Sequence, residues 1–174
     1  MAGLAHLSRR FFASLWPLGP GTERSSWAES SLLDAEVPLW RRMSRADRRH
    51  AVGVAQRVEI ALGNEATRPV LAAALLHDVG KCESGLGTYG RVIATISGGV
   101  VGRDPDTIKA WTRTRGFTRR VGLYLQHPKL GGDLLAMAGS DPLTVAWARQ
   151  HHLPDDEWTV PAEIGAALKF ADDD

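Results

Sequence analysis

Seven apolar residues in the stretch VLAAALLHDVGKC, residues 70–82, run directly into a histidine and an aspartate. Pro69 suits the first turn of a helix and Gly80 lies past its end, so the apolar run predicts a helix that is buried on all sides. A strand is the competing interpretation, but the three consecutive alanines favour a helix. An ionised carboxylate at the end of a buried helix is costly unless it is paired or binds a metal. His77 and Asp78 therefore need partners.

A purely structural interpretation of this motif is open. A histidine-aspartate dipeptide occurs by chance in many proteins, so the pair alone is a weak signal. His77 would then be a hydrogen-bonded core residue. Asp78 would cap the following segment and pair with Lys81.

The surrounding sequence predicts further helices. Ser44 with Asp47 three residues later matches a capping box, and apolar residues keep helical spacing from there until Gly63 ends the helix. Later helices are predicted at Thr107 to Trp111, Arg119 to Gln126, Pro128 to Ala138, Pro142 to Gln150 and Pro161 to Ala171. No alternating strand pattern and no internal repeat is evident. The predicted fold class is an all-α helical bundle.

The composition of the chain limits the classes of function that it can have. The chain has 174 residues, of which 44% are hydrophobic, which suits one domain with a real core. A net charge of +1 argues against a strongly basic nucleic-acid-binding protein, and no stable nucleic-acid binding is expected. The single cysteine, Cys82, excludes an internal disulfide and fits a reducing compartment, so a cytoplasmic location is expected.

The first 35 residues differ from the rest. Residues 1–35 are expected to be a partly flexible N-terminal segment and linker, with the linker in the Pro-, Gly- and Ser-rich residues 17–31, and residues 36–174 form the folded domain. SRRFF, residues 8–12, is similar to the start of a twin-arginine export signal, but prolines soon interrupt the apolar residues after it, which argues against export. No apolar run is long enough to predict a membrane span.

Histidines and acids cluster at predicted helix ends. Imidazoles and carboxylates together are the ligand set of zinc, iron and manganese, and one cysteine argues against a structural thiolate zinc site. Sites of this kind are built where helices of a bundle meet. The residues at or near helix ends, besides the His77–Asp78 pair, are His50, His127, His151, His152 and Asp172.

The order of these residues resembles the HD-domain metal-dependent phosphohydrolases, which are identified by a His, a His-Asp doublet and a distant Asp on a helical bundle. LLHDVGK is similar to their central motif. The matching residues are His50, His77 with Asp78, and Asp172, which follows FA as the ligand of the family follows VA. Residues 36–174 would then be an HD domain, with a metal site at converging helix ends.

Further elements look like the HD-GYP subgroup of cyclic-dinucleotide phosphodiesterases. LQHPKLGGDLL supplies His127, ARQHHLPDD supplies His151 and His152, and ALKFADDD resembles the closing segment. Two departures stand out. LPDDEWTVP replaces the glycine-tyrosine-proline signature, and the long segment of residues 82–126 contains the glycine-rich ISGGVVGRD and several arginines. These arginines could form a phosphate-binding rim, but they are interpreted as lining a solvated connection. The resemblance therefore extends to the metal chemistry and leaves the substrate open.

The resemblance implies two divalent ions of iron, manganese or zinc. One ion would be bound by His50, His77, Asp78 and Asp172, and the other by His127, His151 and His152, with Asp78 bridging. Asp78 and Lys81 would be the catalytic residues. A metal-activated hydroxide would cleave a phosphoester in a nucleotide, cyclic dinucleotide or other phosphorylated small molecule, and Lys81 would neutralise a phosphate oxygen.

Alternatives stay open at the level of residues and of function. One of His151 and His152 could be an exposed loop residue, His127 could cap a helix, and Lys81 could be a solvated helix-end lysine. The functional alternatives are a di-iron oxygenase on the same scaffold and a non-catalytic module that binds a metal or a nucleotide.

Overall fold

The computed structural model describes residues 19–100 and 104–173, and all regular secondary structure within them is helical, which confirms the all-α class. The predictions for residues 1–18 lie outside this range. The α-helices are Thr22–Ser30 (α1), Val37–Arg42 (α2), Arg45–Leu62 (α3), Arg68–Leu76 (α4), Thr88–Val100 (α5), Pro105–Thr112 (α6), Gly116–Leu125 (α7), His127–Met137 (α8), Pro142–Gln150 (α9) and Ala162–Asp173 (α10). Short 3₁₀ helices span Gly63–Glu65, Val79–Ser84 and Asp155–Glu157.

Helix α4 is the centre of the main core. Every residue from Val70 to Leu76 is buried, as the apolar run predicts. The helix packs between α3 and α9, α10 packs on α3, and α8 packs on α9. Trp40 and Trp147 are fully buried in the same core. Burial on all faces explains why this segment carries no polar residue before His77.

Helix α3 begins and ends where the sequence predicts. The Ser44 hydroxyl accepts a hydrogen bond from the Asp47 backbone N–H at 3.1 Å, and Gly63 ends the helix with a φ of +52°. Of the later helices, α9 matches its predicted bounds, and α6, α7, α8 and α10 differ from theirs by one to three residues at each end. Local capping and proline signals therefore locate these helices well.

Helix α1 contradicts the linker predicted at residues 17–31. Ala28 is fully buried and Leu32 nearly so, in the same core as α3 and α4. The Arg41 guanidinium donates two hydrogen bonds to the Glu29 carboxylate, at 2.9 and 2.6 Å, and so joins α1 to α2. The linker prediction was wrong because the serine-rich composition gave little sign of a helix whose one buried residue is Ala28.

Helices α5, α6 and α7 enclose a second, smaller core of Leu86, Ala94 and Val121, with Tyr124 packed against it. Helix α5 was not predicted from the sequence, and its glycines have low helix propensity. Gly98 instead lies against the Leu125 side chain, where a Cβ would fall 2.7 Å from a methyl carbon. The arginines of this segment, Arg113, Arg115, Arg119 and Arg120, are exposed, as a solvated connection predicts.

Helix α4 ends at Leu76, before the predicted end near Gly80. His77 is its C-cap, and a 3₁₀ helix from Val79 to Ser84 follows Asp78 directly. The tighter helix turns the chain away from α4 at the His-Asp pair. Within the described ranges, no helix has the length and apolar character that a membrane crossing requires.

Candidate metal centre

Three buried histidines are oriented by the same local hydrogen bond. In each, Nδ1 donates to the backbone carbonyl three residues earlier, in the last turn of α4, α7 or α9, where carbonyls lack helical partners. Since a carbonyl oxygen can only accept, the proton is on Nδ1, and in the neutral ring Nε2 presents its lone pair. The three bonds join His77 to Ala74 at 2.9 Å, His127 to Tyr124 at 2.7 Å and His151 to Ala148 at 3.0 Å.

The opposite nitrogens of these rings have no hydrogen-bond partner. Nε2 of His77, His127 and His151 is buried and makes no hydrogen bond in each case, although a carboxylate oxygen lies 3.3–3.7 Å away. Buried polar atoms without a partner are rare in folded proteins, and each one requires an explanation. Imidazoles anchored through Nδ1 and open at Nε2 are typical of metal ligands.

The Asp78 carboxylate lies between these nitrogens. Its Oδ2 is 3.4 Å from Nε2 of His77, and its Oδ1 is 3.3 Å from Nε2 of His127 and 3.7 Å from Nε2 of His151. These distances exceed the usual N–H···O length of about 2.9–3.0 Å. Two ligand atoms that each lie about 2.1 Å from one ion are about 3.0–3.4 Å apart in octahedral or tetrahedral coordination. The distances to His77 and His127 thus fit ligands of a shared metal ion better than direct hydrogen bonds, whereas the 3.7 Å to His151 exceeds both ranges.

A second buried carboxylate completes the arrangement. Asp172 is only 4% exposed, and its Oδ1 lies 2.8 Å from Nε2 of His50 and 3.5 Å from Nε2 of His77. Two groups of side chains could hold a metal ion, since the ligand atoms in each lie within 4.8 Å of one another. We call them the first trio, His50, His77 and Asp172, and the second trio, His127, His151 and His152.

Each trio has one member that reaches solvent. The His50 side chain is 26% exposed in the first trio, and His152 is exposed in the second. The inner ligands are almost completely covered, with His77 and His151 each 1% exposed. His50 and His152 are therefore the ligands of each trio that contact solvent.

Charges within the site stabilise one another. Burial acts to raise the pKa of Asp78, but the Lys81 ammonium, in direct contact with its carboxylate, and His77 hold that pKa well below its usual range. Burial likewise acts to lower the pKa of His77, and the carboxylates of Asp78 and Asp172 outweigh it, raising the pKa to about 10. Asp78 is therefore ionised at neutral pH.

The imidazoles of the second trio, in contrast to His77, have lowered pKa values. Burial lowers the pKa of His127 and of His151, and neighbouring imidazoles add to the effect at His151. Desolvation lowers the pKa of His152 too, and the proximity of His127 adds to the effect. The His152 ring lies 4.1 Å from that of His151. Neutral imidazoles at neutral pH are the form that binds metal.

A close approach of two backbones positions Asp78 beside the second trio. A Cβ on Gly80 would lie 2.0 Å from the carbonyl oxygen of His127 and 2.6 Å from the backbone nitrogen of Gly131. No side chain fits at Gly80, so glycine allows the 3₁₀ helix to contact the start of α8. Sequence reasoning missed both glycines as site residues. The signal for them was a glycine directly after the His-Asp pair and a Gly-Gly pair one turn after His127.

All seven predicted ligands and Lys81 lie together in the structure. Five of the six histidines in the chain belong to the two trios. His151 and His152 are in the same trio, and His127 is the first residue of α8, whose N-cap is Gln126. No family model, curated protein or solved structure matches this chain. The assignment to HD-domain proteins and the role of each ligand therefore stay predictions.

Proposed function

We propose that this chain is a metal-dependent phosphohydrolase of the HD-domain type that cleaves a phosphoester of a nucleotide or another phosphorylated small molecule. One observation carries the proposal. Three buried imidazole nitrogens without hydrogen-bond partners surround an ionised carboxylate, each ring anchored from behind by a backbone carbonyl. A hydrogen-bonded structural cluster would pair these nitrogens instead.

Two cations would be held by the two trios, with Asp78 shared between them. Its two carboxylate oxygens face different histidines, which suits a bridging ligand. When bound, two neighbouring cations supply an activated water and neutralise charge on the oxygens of a phosphoryl group. The imidazoles alone could not do this, because those of the second trio are neutral at neutral pH.

Residues of the chain supply the rest of the chemistry. Lys81 contacts the Asp78 carboxylate, and its side chain is 13% exposed, so the ammonium is positioned at the edge of the centre. From there it can donate to a non-bridging phosphate oxygen. The buried core of α4 beneath His77 keeps water from the inner ligands, which strengthens charge interactions above it.

Metal content is the first test. Protein purified without a histidine tag is expected to contain about two equivalents of iron, manganese or zinc per chain by elemental analysis, because two trios share one bridging carboxylate. Asp78→Ala should lose most of this metal. Asp133→Ala is the matched control, since Asp133 is an exposed carboxylate paired with Lys129 and Arg149. Metal-free wild-type protein, after anaerobic purification and metal supplementation, would contradict the proposal.

Turnover is the second test. The metal-loaded protein should hydrolyse at least one member of a panel of nucleotides, cyclic dinucleotides and simple phosphate esters, and Lys81→Met should lower kcat on that substrate by about a hundredfold. Oxygen consumption by an iron-loaded preparation without phosphate release would favour an oxygenase. Full metal content without either activity would favour a non-catalytic module.

A further inference from the structure

A half-buried ion pair lies beside the metal centre and forms no part of either trio. Asp47 is on α3, three residues before His50, and therefore lies on the same side of that helix. Its carboxylate accepts two hydrogen bonds from Nη1 of Arg91, at 2.6 and 2.7 Å. The two side chains are 12% and 19% exposed. The pair joins α3 to α5 one helical turn from a proposed ligand.

A third bond fixes the orientation of the guanidinium. Nε of Arg91 donates to the backbone carbonyl of Leu86 at 3.1 Å. None of the hydrogen bonds among the described residues uses Nη2 of Arg91, and Nη2 is not among the buried polar atoms that lack a partner, so it reaches solvent. Two of the three guanidinium nitrogens of Arg91, Nε and Nη1, are thus hydrogen-bonded within the protein, and Nη2 is open to solvent.

Arg91 is linked to the metal centre through Tyr124, which packs on the small core that contains Leu86, the residue whose carbonyl Arg91 binds. Burial acts to lower the pKa of Arg91, but Asp47 raises it, and Tyr124 and Asp78 raise it further, so both lie within electrostatic reach of the guanidinium. The Tyr124 ring is 5.6 Å from the His127 ring, and Nζ of Lys81 lies 6.0 Å from the centre of the Tyr124 ring. Arg91, Lys81 and Tyr124 come from three different elements, and Lys81 contacts the Asp78 carboxylate directly.

We propose that Arg91 binds a phosphate group of the substrate in a subsite beside the metal centre, and that Asp47 is the residue that positions it. The proposal rests on the proposed function, because it names the substrate class of the same centre as phosphate esters and excludes neutral organic molecules. The planar guanidinium matches phosphate oxygens in geometry and keeps its charge at any physiological pH. Lys81 and the Tyr124 hydroxyl would complete the subsite.

The fixed orientation distinguishes Arg91 from most other arginines of this segment, although Nε of Arg120 also donates to a backbone carbonyl, that of Ser84, at 3.1 Å. Arg113, Arg115 and Arg119 are exposed, and no contact holds their guanidinium groups among the described residues. Ordering such a side chain on binding costs conformational entropy. At Arg91 most of this freedom is already lost before binding, because hydrogen bonds to Asp47 and Leu86 hold the side chain. A pre-ordered arginine beside a metal centre is therefore suited to bind an anion.

Calorimetry with inorganic phosphate and pyrophosphate tests the subsite. In metal-loaded protein, Arg91→Met should weaken binding of these anions by about tenfold, the loss of one charged hydrogen bond. Arg91→Lys keeps the charge and loses the planar fork, so an intermediate loss is expected. Arg119→Met is the matched control and should change binding by less than about twofold. Metal content should be the same in all variants.

A second variant separates the subsite from folding. Asp47→Asn leaves the Arg91 charge in place and weakens its anchor, so anion binding should fall by a few-fold while circular dichroism stays that of the wild type. If Arg91→Met does not fold, Arg91→Lys and Asp47→Asn decide between the outcomes. Wild-type anion affinity in folded, metal-loaded Arg91 variants would overturn the subsite and leave the phosphohydrolase proposal standing.

The subsite can also be tested if the wild-type protein binds no metal. In that case the proposed function fails. Phosphate and pyrophosphate binding is then measured on the metal-free protein. A loss of that binding in Arg91→Met would support the subsite by itself, and unchanged or absent binding would overturn it as well.

Discussion

Gly80 and His127 approach so closely that a Cβ on Gly80 would fall 2.0 Å from the carbonyl oxygen of His127. These residues are far apart in the sequence, and their backbones hold the 3₁₀ helix after Asp78 against the first turn of α8. The contact brings the Asp78 carboxylate within 3.3 Å of Nε2 of His127. The position of Asp78 between the two trios therefore requires that residue 80 has no side chain.

Replacing Gly80 is expected to damage both stability and the site. Gly80→Ala should lower the free energy of unfolding by about 3 kcal/mol, since the new methyl group collides with backbone atoms that cannot move aside. Chemical denaturation followed by circular dichroism measures this change. Gly99→Ala is the control, because a Cβ there meets no described atom within 4 Å, and it should be neutral or stabilise by about 0.5–1 kcal/mol. Equal stability of the two variants would contradict the close approach.

The two terminal aspartates of α10 are expected to differ sharply. Asp172 is buried against His50 and His77, whereas Asp173 is exposed and paired with Lys169 at 3.0 Å. Asp172→Asn should therefore lose about one of the two expected metal equivalents, and Asp173→Asn should lose none. Elemental analysis of both variants, purified side by side, provides the measurement. Similar metal content in the two would remove Asp172 from the ligand set.

Metal binding should release a proton from His77. The neighbouring carboxylates raise its pKa to about 10, so in the metal-free protein the ring is protonated below that pH. A metal ion at Nε2 must displace this proton, whereas His127 and His151, with lowered pKa values, have none to lose at neutral pH. The affinity of the first trio should therefore rise by about tenfold per pH unit from pH 6 towards 9. Calorimetry in buffers of different ionisation enthalpy counts the protons, and none released would contradict this assignment.

Helix α1 should contribute to stability. Ala28→Asp places an unpaired carboxylate in the core and should lower the free energy of unfolding by about 3–5 kcal/mol. Ser26→Asp on the same helix is exposed, so it should change stability by no more than about 0.5 kcal/mol. Urea denaturation of the two variants gives the comparison. A mild effect of Ala28→Asp would restore the linker interpretation of this segment.

Local sequence patterns predicted most of the helices. Ser44 and Gly63 bound α3 through hydrogen bonding and backbone conformation within a few residues, and the apolar run before His77 required a buried helix. The residue types at helix ends also identified the seven candidate ligands. Patterns of this kind act over one or two turns, so they can be recognised without knowledge of the fold.

Helices α1 and α5 were not predicted by such patterns. Helix α1 has no conventional apolar stripe and buries little beyond Ala28, whereas α5 packs small residues such as Ala94 and Gly98 against its neighbours. Glycines within a helix have unfavourable helix propensity, although they permit close packing. Their burial depends on partners elsewhere in the chain.

The sequence by itself determined that the chain is helical, that a buried helix ends at His77 and Asp78, and which side chains were available as ligands. Only the tertiary structure decided that Asp78 lies between two trios, that Gly80 permits this position, and that Arg91 is held by Asp47 beside the centre. The physical reason is the separation along the chain of the residues that interact. Helices form through contacts between near neighbours, whereas the centre depends on the packing of helix ends that are distant in the chain.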